Sequence, residues 1–374
     1  MNNKRVCMVN LRQSQGKTQK KDKRKKVLIS GYYGFDNFGD EVILGILLDK
    51  LKDCNVTVMT ANPRKTFDTY GVHTIQTFSY DHVMREIARC DVLISGGGSL
   101  LQNVTSNGSL LFYTMIIRFA LMLNKDVMIF AQGIGPIKGF LANFITKSVL
   151  KKCKYVSVRD EKSKKLLDKW KIKSNLVCDP VYSLEVENPE RTSKIGIQLR
   201  KYDTLTDELF DNIIKQIRKR FYDREIELLC LQDEVDTGIS QVFINKLRAV
   251  DKSIKVRLVN GLNNKQIIER ISQYDCLIGM RYHACLVSAK YGVKTLAVAY
   301  DPKVELLAED LGLPCLSMVD KKNDYEKAFN TMEDLSRWNL MERVKSKVFS
   351  WNATGINEIK KEKKKGFKGF WNKK

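Results

Sequence analysis

The stretch LIGMRYHACLVSAKYGV, residues 277–293, places Arg281 two residues before His283, one of only three histidines in 374 residues. An apolar run precedes the pair and a helix-like run follows it. Both side chains therefore stand where a strand hands over to a helix. Were the strand to continue to His283, the two would share one face, because strand side chains alternate. Were the helix to begin at His283, its positive end would point into the same place. An imidazole moves protons near neutral pH. A guanidinium grips carboxylate or phosphate oxygens with a planar fork. A lone histidine also serves as a packed core residue, so its neighbours must decide between the two roles.

Five further stretches share this placement at strand ends. GYYGFDNFGDE (31–41) loosely echoes a glycine-rich nucleotide loop without the G-x-G-x-x-G spacing. It reads either as a tight turn with Asp40 at the helix start, or as a loop whose amides face a cleft with Gly34, Asn37 and Asp40. SGGGSLLQN (95–103) offers Gly96, Gly97, Gly98 and Ser99. Glycines let a backbone approach a ligand closely, and amides there and at a following helix N-terminus hold an anion. AQGIGP (131–136) sets Gln132 beside two glycines, to tie loops together or to contact a sugar hydroxyl. SVRDEKS (157–163) leaves Arg159 to pair with Asp160 or Glu161, or to grip an anion. YDPKVE (300–305) reads as an Asp301 cap with Pro302 at the first helical position, and Lys303 is either solvated or in reach of a cleft.

The elements that position these residues follow a strand–helix rhythm. KKVLISG, VTVMTA, DVLISGGG, DVMIFAQ and KYVSVRD alternate with helical stretches, and KIGIQLR, IELLCLQ, KVRLVN, CLIGM and KTLAVAY repeat the rhythm. Continuously apolar strands belong to parallel sheets covered on both faces, and ligands bind outside their carboxyl ends. The expected class is α/β, with two Rossmann-like domains and a cleft between them. The expected divisions are a basic disordered tail (1–26), an N-terminal domain (27–185) and a polar linker (186–193). A C-terminal domain (194–357) closes with a long helix from about Tyr325 to Phe349, and a basic-aromatic tail (358–374) follows.

Composition narrows the class. The chain is 43% hydrophobic, which is globular, and long enough for two cores. Of the net charge of +22, residues 1–26 supply +9 and 358–374 supply +6, leaving +7 for the body. Nine scattered cysteines without a C-x-x-C pair read as buried small residues in a reducing compartment, and no metal cluster is evident. The apolar stretch 110–123 is interrupted by Arg118 and falls short of the roughly 18–20 residues that span a bilayer; it reads as a buried or half-buried helix. No signal-peptide apolar region precedes the first strand. The expected location is the cytoplasm, at the inner face of the cell membrane if the lysines, Phe367, Phe370 and Trp371 of 358–374 engage anionic lipid. Nothing in the body supports base readout, so no nucleic-acid partner is expected.

In this order and spacing, GYYGFDNFGDE, DVLISGGGSLLQN, AQGIGP, VSVRDEKS, CDP, GMRYHA and AVAYDPKVE resemble the polysaccharide pyruvyl transferase family. The likeness is greatest to its CsaB-type cell-wall-polymer members and covers roughly residues 27–320. The first loop departs from the family in carrying Phe35 and Phe38 where smaller residues are usual. The resemblance implies a glycosyltransferase-B-like arrangement of the two domains. It implies phosphoenolpyruvate as co-substrate without a cofactor, and a lipid-linked N-acetylmannosamine residue as acceptor. The implied product is a 4,6-linked pyruvate ketal in polymers that anchor surface-layer proteins. Arg159, Arg281 and His283 match positions the family uses. On this reading His283 transfers the proton, and Arg281 and Arg159 hold carboxylate and phosphate. Gly34, Asn37, Asp40, Gly96, Gly97, Gly98, Ser99, Gln132 and Lys303 contact substrate. Two other readings share the architecture: a nucleotide-sugar-dependent glycosyltransferase, and a non-catalytic saccharide-binding scaffold.

Overall fold

In the run VLIS after Lys26 every side chain is buried, and similar runs recur along the chain. The computed structural model describes residues 23–361 apart from 105, 186–189, 203–204 and 319–321. Most of both expected tails (1–22 and 362–374) and residues 186–189 of the expected linker lie outside the described residues. The apolar runs form strands β1 (Lys26–Ser30), β2 (Asn55–Thr60), β3 (His73–Gln76), β4 (Val92–Ser95), β5 (Gly98–Leu101), β6 (Asp126–Ile134), β7 (Tyr155–Val158) and β8 (Asn175–Leu176). They make one parallel sheet in the order β3-β2-β1-β4-β6-β7-β8, with β5 also pairing β6. A second parallel sheet contains β9 (Ile195–Gln198), β10 (Ile226–Leu229), β11 (Val256–Val259), β12 (Cys276–Gly279), β13 (Lys294–Ala299) and β14 (Cys315–Ser317). Its order is β11-β10-β9-β12-β13-β14. Chain order reverses beside β1 in one sheet and beside β9 in the other. Such reversals open a crevice at the carboxyl ends of the strands.

Helices α1 (Phe38–Lys50), α2 (Pro63–Tyr70), α3 (Tyr80–Arg89), α4 (Asn107–Met122), α5 (Phe140–Leu150) and α6 (Glu161–Lys169) connect the first strands. Those of the second sheet are α7 (Asp207–Arg220), α8 (Asp233–Val250), α9 (Asn264–Gln273), α10 (Tyr282–Lys290) and α11 (Pro302–Leu311). The chain closes with α12 (Tyr325–Glu333), α13 (Arg337–Lys345), α14 (Trp351–Thr354) and α15 (Ile356–Lys361). Strand alternation divides the first sheet between two cores. Val27, Ile29, Met128 and Phe130 join one cluster, which continues into the second sheet, whereas Leu28, Val127 and Ile129 join the other.

One local expectation changes. The continuous helix expected from Tyr325 to Phe349 is two helices, because Ser336 caps a new one through the Asn339 amide. The chain end then crosses to the first sheet. Phe130 meets the rings of Phe349 and Trp351 at 5.9 and 5.8 Å, and Asn175 donates to the Ala353 carbonyl at 2.8 Å. The described part of the linker is held by hydrogen bonds: Thr192 N–H donates to the Gln273 carbonyl at 2.9 Å, and Arg191 to the carbonyls of Ser272 and Tyr291. No helix among the described residues is long and apolar enough to cross a membrane.

Candidate active site

The carboxyl ends of both sheets converge on one polar cluster. Arg159 follows β7, and its Nη1 donates to Asp179 Oδ2 at 2.7 Å while Nη2 donates to Ser99 Oγ at 3.1 Å. Asp160 does not take this arginine, because its carboxylate caps α6 through the Ser163 amide. Asp179 in turn caps the short 3-10 turn Pro180–Ser183, accepting from Val181 N–H at 3.0 Å. From the second sheet, His283 brings Nε2 to 3.5 Å from the same Asp179 oxygen. The two form an ion pair only when the imidazole is protonated, and among the described residues the buried Nε2 has no well-aligned hydrogen-bond partner. The Tyr282 ring lies 5.3 Å from the Arg159 guanidinium and 5.0 Å from the His283 ring.

Proton affinities in this cluster follow from burial and charge. Burial alone would raise the Asp179 carboxyl; His283, Arg159 and the Val181 amide outweigh it and hold it well below the usual carboxylate range. Burial, reinforced by Arg159 and Lys303, pushes His283 below its ordinary value despite the pull of Asp179. At neutral pH the imidazole is therefore uncharged.

The first loop meets this cluster directly. Gly39, in the first turn of α1, packs against the His283 ring so closely that a β-carbon there would fall within 3.0 Å of it. Asp40 follows, lodged against Gly98, whose φ is +82° and whose missing side chain makes room, since a β-carbon there would fall within 3.0 Å of the Asp40 carboxylate. Burial raises the Asp40 carboxyl to about 7, with Arg159 and Lys303 pulling it down and Glu41 and Asp179 pushing it up. Asn37 precedes α1 without a side-chain capping bond. Gly34 is committed to structure: its N–H donates to Glu41 Oε1 at 2.6 Å, and its Cα faces Thr60 and Asn62.

The triple glycine behaves differently from the expected anion loop. The chain continues from Gly98 as β5, and α4 begins only at Asn107, so no helix N-terminus follows the glycines directly. Gly96 packs on the Tyr33 hydroxyl, and Gly97 on Ile43, where a β-carbon would meet Cγ2 at 2.7 Å. Gln132 is fully buried and donates to Ser95 Oγ and the Gly96 carbonyl, both at 2.8 Å, which ties the loops together.

Arg281 is placed apart from His283. β12 stops at Gly279 and α10 starts at Tyr282, so strand alternation does not carry through the pair. The guanidinium donates to both carboxylate oxygens of buried Asp236, at 3.1 and 2.6 Å, and to Gln232 Oε1 at 3.1 Å. Gln232 Nε2 then reaches across to the Phe35 carbonyl at 2.9 Å. Arg281 thus holds the second half against the first loop. Asp301 caps α11 with Pro302 after it, and Lys303 is half-buried with Nζ 3.5 Å from Asp301 Oδ2. Its charge acts on both Asp40 and His283.

Asp179 lies in the CDP stretch and Gly39 in the first glycine loop, neither with a role assigned from the sequence, and Arg200 stands near this site without having been singled out. Arg200 follows β9, donates to the Tyr300 hydroxyl at 3.3 Å, and acts electrostatically on Tyr32 of the first loop. Its strand-end position was the available signal, the same one that marks Arg159. Among the described residues, no three His, Cys, Asp or Glu side chains converge as a metal site requires.

Two Rossmann-type parallel sheets, with polar residues from both around one crevice, define a glycosyltransferase-B-like α/β protein. The family model described as polysaccharide pyruvyl transferase matches residues 37–302. The chain belongs to that family and is a transferase of polysaccharide biosynthesis. Solved structures share the fold. UDP-GlcNAc 2-epimerase from Methanocaldococcus jannaschii is 13% identical, with 91% of this chain and 99% of that chain covered and a TM-score of 0.58. MnaA of S. aureus, in a co-structure with UDP, is 9% identical over 90% of this chain and 96% of its own, with a TM-score of 0.61. Anabaena HepE in complex with UDP-glucose is 12% identical over 90% and 98%, with a TM-score of 0.56. At these identities the likeness is one of fold. No curated protein matches the chain significantly.

Proposed function

We propose that the chain transfers the three-carbon unit of phosphoenolpyruvate to two hydroxyls of an acceptor sugar as a cyclic ketal, releasing phosphate. The observation that carries this reading is geometric: Gly39 packs on the His283 ring, and Asp40, the next residue, lodges against Gly98 beside the Ser99–Arg159 contact. Asp40 is pushed up to about 7 and His283 is pushed down, with Arg159 and Lys303 acting on both. A carboxyl that still carries its proton part of the time near neutral pH and a neutral imidazole in the same crevice are the acid and base such a reaction needs. Phosphoenolpyruvate brings a carboxylate and a phosphate, for which Arg159, Lys303 and Arg200 supply positive charge.

Asp40 donates its proton to the methylene carbon, and the cationic centre that results takes the first sugar hydroxyl, whose proton passes to His283. The bond from that carbon to the phosphate oxygen then breaks. The second hydroxyl closes the ketal and returns a proton to Asp40, while the proton on His283 leaves with phosphate. Asp179 orients the imidazole, and Arg281 is a positioning residue that acts through Gln232 and Asp236. The acceptor in this reading is the lipid-linked N-acetylmannosamine of the CsaB-type members that the sequence resembles, and the ketal is 4,6-linked.

Phosphate release from phosphoenolpyruvate, measured with and without a synthetic N-acetylmannosaminyl acceptor, tests the reading. Acceptor-dependent release, a product heavier by one ketal-linked pyruvate, and loss of both in His283→Ala are expected. Full turnover in folded His283→Ala removes the base from the mechanism. Thermal stabilisation by a nucleotide sugar but not by phosphoenolpyruvate would favour the glycosyltransferase reading, and saccharide binding without turnover the scaffold.

A further inference from the structure

Helices α4 and α5 pack side by side on the first sheet, and their outward faces are apolar. On α4 the exposed stripe is Leu111, Met115, Arg118 and Met122, spaced so that all four lie on one side. On α5 the exposed residues of the first turns are Phe140, Leu141 and Phe144, with Phe140 88% and Phe144 61% exposed. A helix face turned to water is ordinarily polar, and contiguous apolar exposure of this kind marks an interaction surface.

Charge identifies the partner. Residues 101–159 contain eight Lys or Arg and a single acid, Asp126, and neither helix carries a carboxylate. Lys138 just before α5, Arg118 on α4, and Lys151 and Lys152 just after α5 are exposed, and Lys147 is half-buried. Exposed aromatic and aliphatic side chains on helices that carry and adjoin cations but no carboxylate suit the boundary between acyl chains and anionic headgroups. The face also adjoins the candidate site. Asn103 joins the starts of the two helices, donating to Asn107 Oδ1 and to the Lys138 carbonyl, both at 2.8 Å. Gly133, near the end of the strand leading to α5, lies against Ser99 and Arg159.

We propose that the α4–α5 face docks on an anionic membrane surface, with Phe140, Leu141 and Phe144 entering the headgroup boundary and the surrounding cations meeting lipid phosphates. Docking would hold the crevice at the surface from which a lipid-linked sugar is presented. The proposal does not depend on the donor or the ketal chemistry.

The test is sedimentation of the full chain with phosphatidylcholine vesicles, with and without phosphatidylglycerol. Binding that requires phosphatidylglycerol and weakens with added salt is expected. The Phe140→Ser, Leu141→Ser, Phe144→Ser triple variant should bind at least about tenfold more weakly with an unchanged melting temperature. Phe140→Asp alone, at an exposed position, should act in the same direction. Wild-type binding by both variants overturns the proposal, as does a wild-type chain that ignores anionic vesicles. So does binding that needs residues 362–374 but is indifferent to the three apolar residues. A triple variant that turns a dimer into a monomer with vesicle binding unchanged would make the face a self-association surface instead. Vesicle binding needs neither phosphoenolpyruvate nor acceptor, so failure here is separable from failure of the catalytic reading.

Discussion

Replacing Gly39 by Ala puts a methyl group into the His283 ring. Real β-carbons do not approach heavy atoms within 3.0 Å, and this one would begin well inside that limit. The ring or the start of α1 must therefore move by about 1 Å or more, and a misplacement of about 1 Å at a reacting group costs roughly 100-fold in rate. That corresponds to about 2.7 kcal/mol of activation free energy. Gly45, on the same helix, is the internal control. A β-carbon there meets only Tyr70 Cε1, at 3.5 Å, an ordinary contact. Gly45→Ala should keep full turnover and gain about 0.5–1 kcal/mol of stability, because alanine costs less backbone entropy in a helix. The assay is acceptor-dependent phosphate release, run beside a proton NMR titration of the histidine rings, with the His283 signal assigned by its loss in His283→Gln. Three histidines make that spectrum simple. In Gly39→Ala a displaced, better solvated imidazole should titrate closer to the ordinary value. Wild-type turnover with an unmoved His283 titration would refute the packing of α1 on the proposed base.

Three further outcomes follow, two from Asp40 and one from the Arg281–Asp236 pair. Asp40 is protonated in the folded state up to about pH 7, so turnover that uses it as an acid should fall as pH rises through that value. Asp40→Asn should remove that limb and lower the rate by about 100-fold or more. The linked stability effect has a definite sign: with the folded pKa raised, the cost of ionising Asp40 is absent below 3.8, grows with pH, and is complete above about 7. Asp40→Asn should accordingly melt above the wild type at alkaline pH and lose that advantage in acid, measured by scanning calorimetry. Arg281→Met leaves the Asp236 carboxylate buried without its cation and should cost about 3–5 kcal/mol. Adding Asp236→Asn should recover part of the loss, with a coupling of at least about 1 kcal/mol in denaturant unfolding; strictly additive losses would contradict the pairing.

The sequence by itself determined the strand–helix rhythm and most of its elements, though not α2 or the short strands β3, β5 and β14. A run such as VLIS is apolar on both faces, which only a covered parallel strand accommodates. Asp301 before Pro302 marks a helix start through local chemistry alone, and the structure has that cap. Strand-end placement likewise brought Arg159, His283, Asp40 and Lys303 forward as candidates. Local pattern could not decide what each of them meets. Asp179 lies 20 residues from Arg159 and 104 from His283, and only the approach of the two sheets sets it between them. Arg281 sits two residues from His283, yet the end of β12 at Gly279 turns its guanidinium to Asp236, 45 residues earlier. The proton affinities belong to the tertiary structure for the same reason. Desolvation acts on Asp40 and His283 only when both halves close over them, and it drives a carboxyl up and an imidazole down.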